Sequence, residues 1–143
     1  MTQVDFYVLP GEVEQQREQF ACRLAEKAYR LGHRIFIHTR SAEQTRHLDD
    51  LLWTFQQSSF VPHSIYQEAG DAPPPVVLAH DAEPHAGYQV LINLADDVPL
   101  FFSHFERVAE LVNGNGATRE SGRSRYGFYK ERGYLLRTHE ISN

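Results

Sequence analysis

The sequence has few of the residues that anchor catalytic or zinc sites. Its 143 residues include one cysteine, Cys22, which excludes an internal disulfide framework. Cys22 lies in a helical pattern among apolar residues, and this favours a buried, inert thiol over a nucleophile. H-E-x-x-H, paired C-x-x-C and G-x-S-x-G patterns are also missing. Nucleophilic catalysis therefore has no anchor, and none of these patterns calls for an enzyme.

Two pairs of histidines are candidate metal ligands. His33 and His38 are five apart across a predicted strand, so their side chains point to opposite faces. His80 and His85 flank a loop with Asp81 and could approach each other. No further ligand pair supports them, so solvated loop histidines are the favoured interpretation, and we expect no metal and no cofactor.

Glycine-rich phosphate loops are absent too. The first predicted strand is followed by "PGEVEQQ", not by G-x-G-x-x-G, and G-x-x-x-x-G-K-[ST] does not occur. "NGNG" at 113–116 contains only G-x-G and follows a predicted helix. A nucleotide-binding enzyme stays open as an alternative, although only an analogy of fold supports it.

Long apolar runs are missing as well. No stretch reaches the ~20 residues of a membrane span, and the N-terminus lacks the pattern of a signal peptide. We therefore expect a cytoplasmic protein without membrane contact. A hydrophobic content of 41% is typical of a globular chain, and residues 1–143 are predicted to form a single domain.

The net charge of −5 is unevenly distributed. Residues 117–143 contain six Lys or Arg against three Glu, so this end is basic and the rest of the chain is acidic. Binding along nucleic acid favours an extended basic surface, whereas a short basic segment suits a local anionic partner. Direct binding of single-stranded DNA by the same segment remains a further alternative.

Short apolar runs alternate with amphipathic segments along the chain. This order predicts an α/β fold of three layers, Rossmann-like, with a mostly parallel central sheet and helices on both faces. Ser41 and Gln44 form a capping-box pattern at the start of the second helix, and Gly32 and Gly133 end the first and the last. The predicted strands are 4–9, 34–39, 76–80, 90–95 and 134–138, and the predicted helices are 12–31, 41–55, 100–112 and 117–132.

Trp53 does not belong to the apolar stripe of its helix. At ~100° per residue, it lies ~150° from the centre of the stripe formed by Leu48, Leu51, Leu52 and Phe55. Phe60 and the Val61-Pro62 turn follow a polar stretch. Trp53 either packs under the proline-rich loop or anchors a partner protein, as exposed tryptophans and neighbouring aromatics often do.

The last predicted helix carries a line of cations. Arg119, Arg123, Tyr126 and Lys130 lie within ~60° of one another on the helix surface. Like charges at this spacing repel, so they are either a solvated basic face or a site for an external anion. Peptide carboxylates with an apolar side chain, or a chain of phosphates, would suit such a line.

Three segments carry a family resemblance: "FYVL" near the start, "LDDLLWTFQQSSFVPHS" at 48–64, and "GRSRYGFYKERGYLL" at 122–136. With them, the chain resembles the chi subunit of bacterial DNA polymerase III over nearly its full length, apart from loops 64–75 and 81–88. The resemblance implies a non-catalytic adaptor whose Rossmann-like fold binds no nucleotide and meets nucleic acid only indirectly.

The resemblance also implies two partners. One is the psi subunit, which links chi to the clamp loader, and the other is the acidic C-terminal tail of single-stranded-DNA-binding protein. By position, psi is expected at Trp53, Phe60, Val61 and Pro62. The tail is expected at Val112, Arg119, Arg123, Tyr126 and Lys130. Where the family has a lysine after the tyrosine, this chain has Gly127, and Lys130 is expected to compensate for the lost cation.

Overall fold

Hydrogen bonding joins the apolar runs of the sequence into one open sheet. The computed structural model describes residues 1–142. Two short 3₁₀ turns, Tyr66–Glu68 and Phe102–His104, lie in the connections. The strands are β1 (Gln3–Val8), β2 (Ile35–His38), β3 (His63–Ile65), β4 (Val76–Ala79), β5 (Val90–Asn93), β6 (Arg107–Val112) and β7 (Leu135–Glu140). The helices are α1 (Glu14–Arg30), α2 (Ala42–Thr54) and α3 (Gly116–Glu131).

The strands lie in the order β3-β4-β2-β5-β6-β1-β7, and each adjacent pair is parallel. Strands β2, β4 and β5 are almost completely buried, as expected for a parallel sheet with cover on both faces. The predicted fold class is confirmed, and the sheet of the described chain is parallel throughout.

Side-chain alternation divides the core into two layers. Ile35 and Ile37 of β2 contact the core under α1 and α2, which we call the helix-pair face. Phe36 points to the opposite side, the α3 face, where it meets Phe101 and Phe105. The predicted arrangement of helices on both faces is therefore confirmed.

Glycine ends two of the helices, as the sequence predicts. Gly32 follows α1 with φ +90°, and Gly133 follows α3 with φ +76°, a conformation that L side chains rarely adopt. After each glycine, the next amide donates back to the helix: His33 N to Ala28 O, and Tyr134 N to Tyr129 O. This is the Schellman pattern, and it turns the chain directly into the following strand.

The predicted helix over 100–112 is wrong. The structure has the 3₁₀ turn Phe102–His104, followed by strand β6 between β5 and β1. Phe101, Phe105 and Val108 recur at helical spacing. In the structure, each is part of the core on the α3 face but lies in an irregular segment or in a strand. Glu110 resembles a solvent-facing helix residue, yet its side chain is fully buried.

The helical spacing of Phe20, Leu24, Ala28 and Leu31 predicts that this apolar stripe of α1 faces the sheet, but the buried side of the helix is shifted. Small residues contact the sheet, namely Ala21, Cys22, Ala25 and Ala28. Phe20 and Leu24 are only partly buried, and Leu31 is 68% exposed. The alanines allow α1 to approach the strands closely, which leaves its larger apolar side chains at the flank of the helix.

Strand β3 was not predicted from the sequence. It has three residues, follows Pro62 directly and pairs with β4 at the edge of the sheet. A polar residue, His63, opens it. So short a strand gives no alternation that would separate it from a loop.

Candidate protein-binding surfaces

The first surface is an exposed apolar patch at the end of α2, here called the Trp53 patch and formed by Trp53, Phe60 and Pro62. Trp53 is 54% exposed and Phe60 62% exposed, and their ring centroids are 5.7 Å apart. Leu48 and Leu52 on the opposite side of α2 are buried. The predicted outward orientation of Trp53 is confirmed.

Hydrogen bonds beneath the patch fix its shape. The ring of His63 lies 4.5 Å from that of Trp53, and its side chain is fully buried. Its two ring nitrogens face backbone oxygens, Val61 O at 2.6 Å and Asp49 O at 2.9 Å. Ser59 donates to Glu26 of α1, which ties the loop before Phe60 to the body of the protein. Trp53 and Phe60 therefore lie on a rigid support.

Val61 differs from its neighbours in the predicted site. Its side chain is completely buried in the core of the helix-pair face, so it supports the patch from below and offers no contact area. Pro62 is half-buried, and its carbonyl oxygen accepts a hydrogen bond from Val76 N of β4. Of the four residues predicted from the family, three thus reach the surface.

The second surface is the outer side of α3, here called the α3 ridge: Arg119, Arg123, Tyr126 and Lys130. The three cations are exposed, and none has a carboxylate within 4.0 Å in residues 1–142. Asn115 begins the helix by accepting hydrogen bonds from Ala117 N and Thr118 N. The ridge therefore presents positive charge that the described chain does not neutralise.

An apolar base lies beside these cations. The Tyr126 ring is partly buried and packs edge-on against Phe6, with 5.2 Å between the ring centroids. Val112, at the end of β6, is buried in the same cluster. A Cβ added to Gly122 would lie 2.5 Å from Cγ1 of Val112, so this glycine lets α3 lie directly on the strand. Val112 thus lies under the ridge and is not an open part of it.

Gly127 occupies open space on the ridge. No atom lies within 4 Å of a Cβ added at this position, and the backbone has no positive φ there. A Cβ atom at this position would therefore move no neighbour. The missing cation is therefore not imposed by packing.

A buried network positions α3 and was missed in the sequence. Glu110 of β6 accepts hydrogen bonds from Arg125 Nε at 2.8 Å, from Tyr129 OH at 2.7 Å and from Asn93 Nδ2 at 3.1 Å. Burial, and then the charge of Glu110, raise the pKa of the Tyr129 hydroxyl far above its usual range. Arg125 also donates to Asp96 O and Ser121 Oγ. One of the six cations counted in the basic segment is thus internal.

The two surfaces lie far apart on the sheet. The Trp53 patch adjoins β3 at one edge, while α3 packs on β6 and β7 toward the other edge. Four strand spacings of ~4.8 Å separate β3 from β6, which is roughly 19 Å. The two surfaces therefore lie over different strands of the sheet.

A cleft of about 540 Å³ opens at the carboxyl ends of β2 and β5. The chain leaves these neighbouring strands in opposite directions, and this is where open α/β sheets usually bind ligands. Its lining includes Asp81, Glu83, Asp96 and Asp97 against one arginine, Arg40, which pairs with Glu14. Phosphate groups would be repelled here.

Two further properties concern the described residues 1–142. No three His, Cys, Asp or Glu side chains converge there in a way that could hold a metal ion, and the pairs His33/His38 and His80/His85 do not form such a group. None of the helices has the length and apolar character needed to cross a membrane.

Comparison with known proteins agrees with this architecture. The crystal structure of T4 UvsW superimposes with a TM-score of 0.68 over 97% of this chain and 42% of that chain. At 10% identity, this similarity shows the fold alone, and the chain spans less than half of that structure.

Sequence relatives are more specific. The chain is 43% identical over 141 residues to DNA polymerase III subunit chi of Pseudomonas aeruginosa, which covers 99% of this chain and 98% of the relative. The chi subunits of Haemophilus influenzae and Escherichia coli are each 28% identical and cover 95% and 96% of this chain. A family model described as DNA polymerase III chi subunit, HolC, matches residues 1–137. The chain belongs to the family of DNA polymerase III chi subunits.

Proposed function

We propose that this chain is a non-catalytic adaptor that joins the clamp loader, through the psi subunit, to the acidic tail of single-stranded-DNA-binding protein. Membership of the chi family makes it an accessory subunit of the replicative polymerase. The observation that carries the proposal is the presence of two unlike, widely separated surfaces on one rigid sheet: an exposed aromatic patch and an unneutralised cationic ridge.

The α3 ridge suits an acidic peptide that ends in an aromatic residue. Arg119 and Arg123 can each donate two parallel hydrogen bonds to a carboxylate, a geometry that lysine lacks. The ring of Tyr126 supplies apolar contact beside them. Because exposed charge pairs contribute only ~0.2–1 kcal/mol each, binding is weak and salt-sensitive, and it gains strength when several tails are present.

The Trp53 patch suits the psi subunit. Tryptophan is among the residues that most often dominate the energy of an interface, and its neighbour Phe60 extends the apolar area. Because His63 and Ser59 hold the patch in place, binding requires little further ordering of its side chains. Such an interface is expected to depend little on salt.

Calorimetry with a short acidic peptide ending in phenylalanine, at two salt concentrations, tests the first surface. Arg123→Ala is expected to weaken peptide binding about three- to fivefold, as expected for one exposed charge contact, and to leave psi binding unchanged. Arg46→Ala removes an exposed arginine on α2 and is the control for peptide binding, which it should leave unchanged.

Substitutions in the Trp53 patch should affect psi binding and not peptide binding. Trp53→Ala and Phe60→Ala should abolish or strongly weaken psi binding without changing peptide affinity. The proposal fails if both sets of variants damage both partners equally. Tight binding of a single-stranded oligonucleotide by the isolated protein would instead favour direct binding of DNA by the ridge.

A further inference from the structure

On the helix-pair face, α1 covers β1 only in part, through the contact of Phe20 with Tyr7, and leaves β7 largely exposed. Helix α1 packs chiefly on β2, β5 and β6, and β7 is the edge strand of the sheet in residues 1–142, where it pairs with β1. Leu135 is consequently 52% exposed, Arg137 is exposed, and the side chain of His139 is 40% exposed. His139 stacks on Tyr7, with ring centroids 4.8 Å apart. We call this area, bounded by the end of α1, the β1–β7 face.

A cavity of about 260 Å³ opens between this face and the end of α1. Its apolar lining includes Tyr7, Leu24, Leu31 and Val108. Leu31 is among the most exposed large apolar side chains of the described chain. The unexpected shift of the α1 stripe therefore leaves an open apolar pocket beside the strands.

The charge around the pocket is positive, although the whole chain has a net charge of −5. Asp5, the acidic residue of its lining, is buried and accepts hydrogen bonds from Arg107 Nη2 at 2.7 Å and His139 Nε2 at 2.9 Å. Lys27 and Arg137 are exposed and have no carboxylate within 4.0 Å in residues 1–142. The uncompensated charge on this face is thus cationic.

We propose that the β1–β7 face is a second peptide-binding surface, which takes an extended acidic segment carrying one bulky apolar side chain. The apolar side chain enters the pocket between Tyr7, Leu24 and Leu31, and the carboxylates of the segment face Lys27, Arg107 and Arg137. Complementary charge of this kind guides association and excludes basic partners.

The charge distribution argues against a second copy of this chain as the occupant. A symmetric dimer would bring the same face of both subunits together, so that Arg137 and Lys27 would meet like charges. The proposal also does not depend on the function proposed above, because the α3 ridge lies on the other face of the sheet.

NMR titration of the isotope-labelled protein tests the proposal. The probe is a synthetic peptide with glutamates on both sides of one central phenylalanine, amidated so that it lacks a terminal carboxylate. Amide shifts are expected along β7 and at the start of β6. Arg137→Glu should weaken the affinity derived from these shifts about three- to tenfold, because an attraction between exposed charges becomes a repulsion.

Arg46→Glu makes the same change of charge on α2 and should leave the affinity unchanged. Shifts confined to α3, an affinity unaffected by Arg137→Glu, or a mass that rises with concentration to that of a dimer would each overturn the proposal. Absence of the β7 shifts would leave the function proposed above standing, because that function is tested by the separate titration with the acidic peptide ending in phenylalanine.

Discussion

Arg125 donates from Nε to Oε1 of Glu110 across 2.8 Å, in a place where neither side chain reaches solvent. This pair fixes the inner side of α3 on β6. It thereby determines that Arg123, two residues earlier, points outward. The orientation of the α3 ridge thus depends on a contact between two residues outside the ridge, Arg125 and Glu110.

Replacing Arg125 by methionine tests this contact. We expect Arg125→Met to lower the free energy of unfolding by ~3–5 kcal/mol, because it leaves the charge of Glu110 buried without a partner. Arg123→Met is the matched control and should change stability by less than ~0.5 kcal/mol. Urea denaturation gives both values, and equal stability of the two variants would contradict the role of the buried pair.

Gly127→Lys should improve both stability and binding. Removing a glycine from the interior of an exposed helix contributes ~0.5–1 kcal/mol, and a Cβ there contacts nothing within 4 Å. The added cation should tighten binding of the acidic peptide about twofold or more. Gly127→Ala separates the two effects, since it should stabilise the helix without changing peptide affinity.

Gly122→Ala should lower the stability of the protein, whereas Gly127→Ala should raise it. Although alanine is the better helix former, its Cβ would lie 2.5 Å from Cγ1 of Val112, so α3 must shift away from β6. Overpacking of this kind costs ~1–3 kcal/mol. Thermal unfolding of the Gly122→Ala and Gly127→Ala variants compares the same substitution at two positions of one helix. A stabilised Gly122→Ala protein would contradict the close approach.

Cys22 should be unreactive in the folded protein. Its side chain is fully buried, and burial, with the charge of Glu18, raises the pKa of its thiol to about 12. Because the thiolate is the reactive form, alkylation at pH 8 should follow unfolding and not direct attack. Labelling measured by mass spectrometry with increasing urea should coincide with the loss of helical circular dichroism. Rapid labelling without denaturant would contradict this.

Asp5 should make stability depend on acid pH. Burial opposes its ionisation, but hydrogen bonds from His139 and Arg107 outweigh burial and lower its pKa below the usual 3.8. The folded state therefore binds this proton less readily than the unfolded state. The resulting stabilisation is complete above pH 3.8 and is lost as the pH falls below it. Asp5→Asn should reduce the slope of stability against pH in that range, which urea denaturation at a series of pH values measures.

The sequence predicts the features that depend on local pattern. The orientation of Trp53 toward solvent follows from its angular position on α2, and the ends of α1 and α3 follow from Gly32 and Gly133. In α2, Ser41 Oγ accepts from Gln44 N as its capping pattern predicts, although Gln44 Oε1 accepts from Arg40 N and not from Ser41 N.

Features that depend on distant residues could not be predicted. Glu110 can be buried only because Arg125, Tyr129 and Asn93 converge on it from other elements. From the sequence alone, the charge of Glu110 therefore suggests a helix whose side at this residue faces solvent. Similarly, the buried side of α1 is shifted because the sheet requires small side chains where α1 crosses it. The periodicity of apolar residues in the helix does not reveal this requirement.

The parallel order of the sheet also has a mechanical meaning. Because the Trp53 patch and the α3 ridge lie toward opposite edges, tension between two bound molecules would run across the strands, along the direction of their hydrogen bonds. Such a load separates strands one at a time and does not shear many bonds together. The attachment proposed for the ridge is weak and salt-dependent, so under such a load it would release before the strands separate.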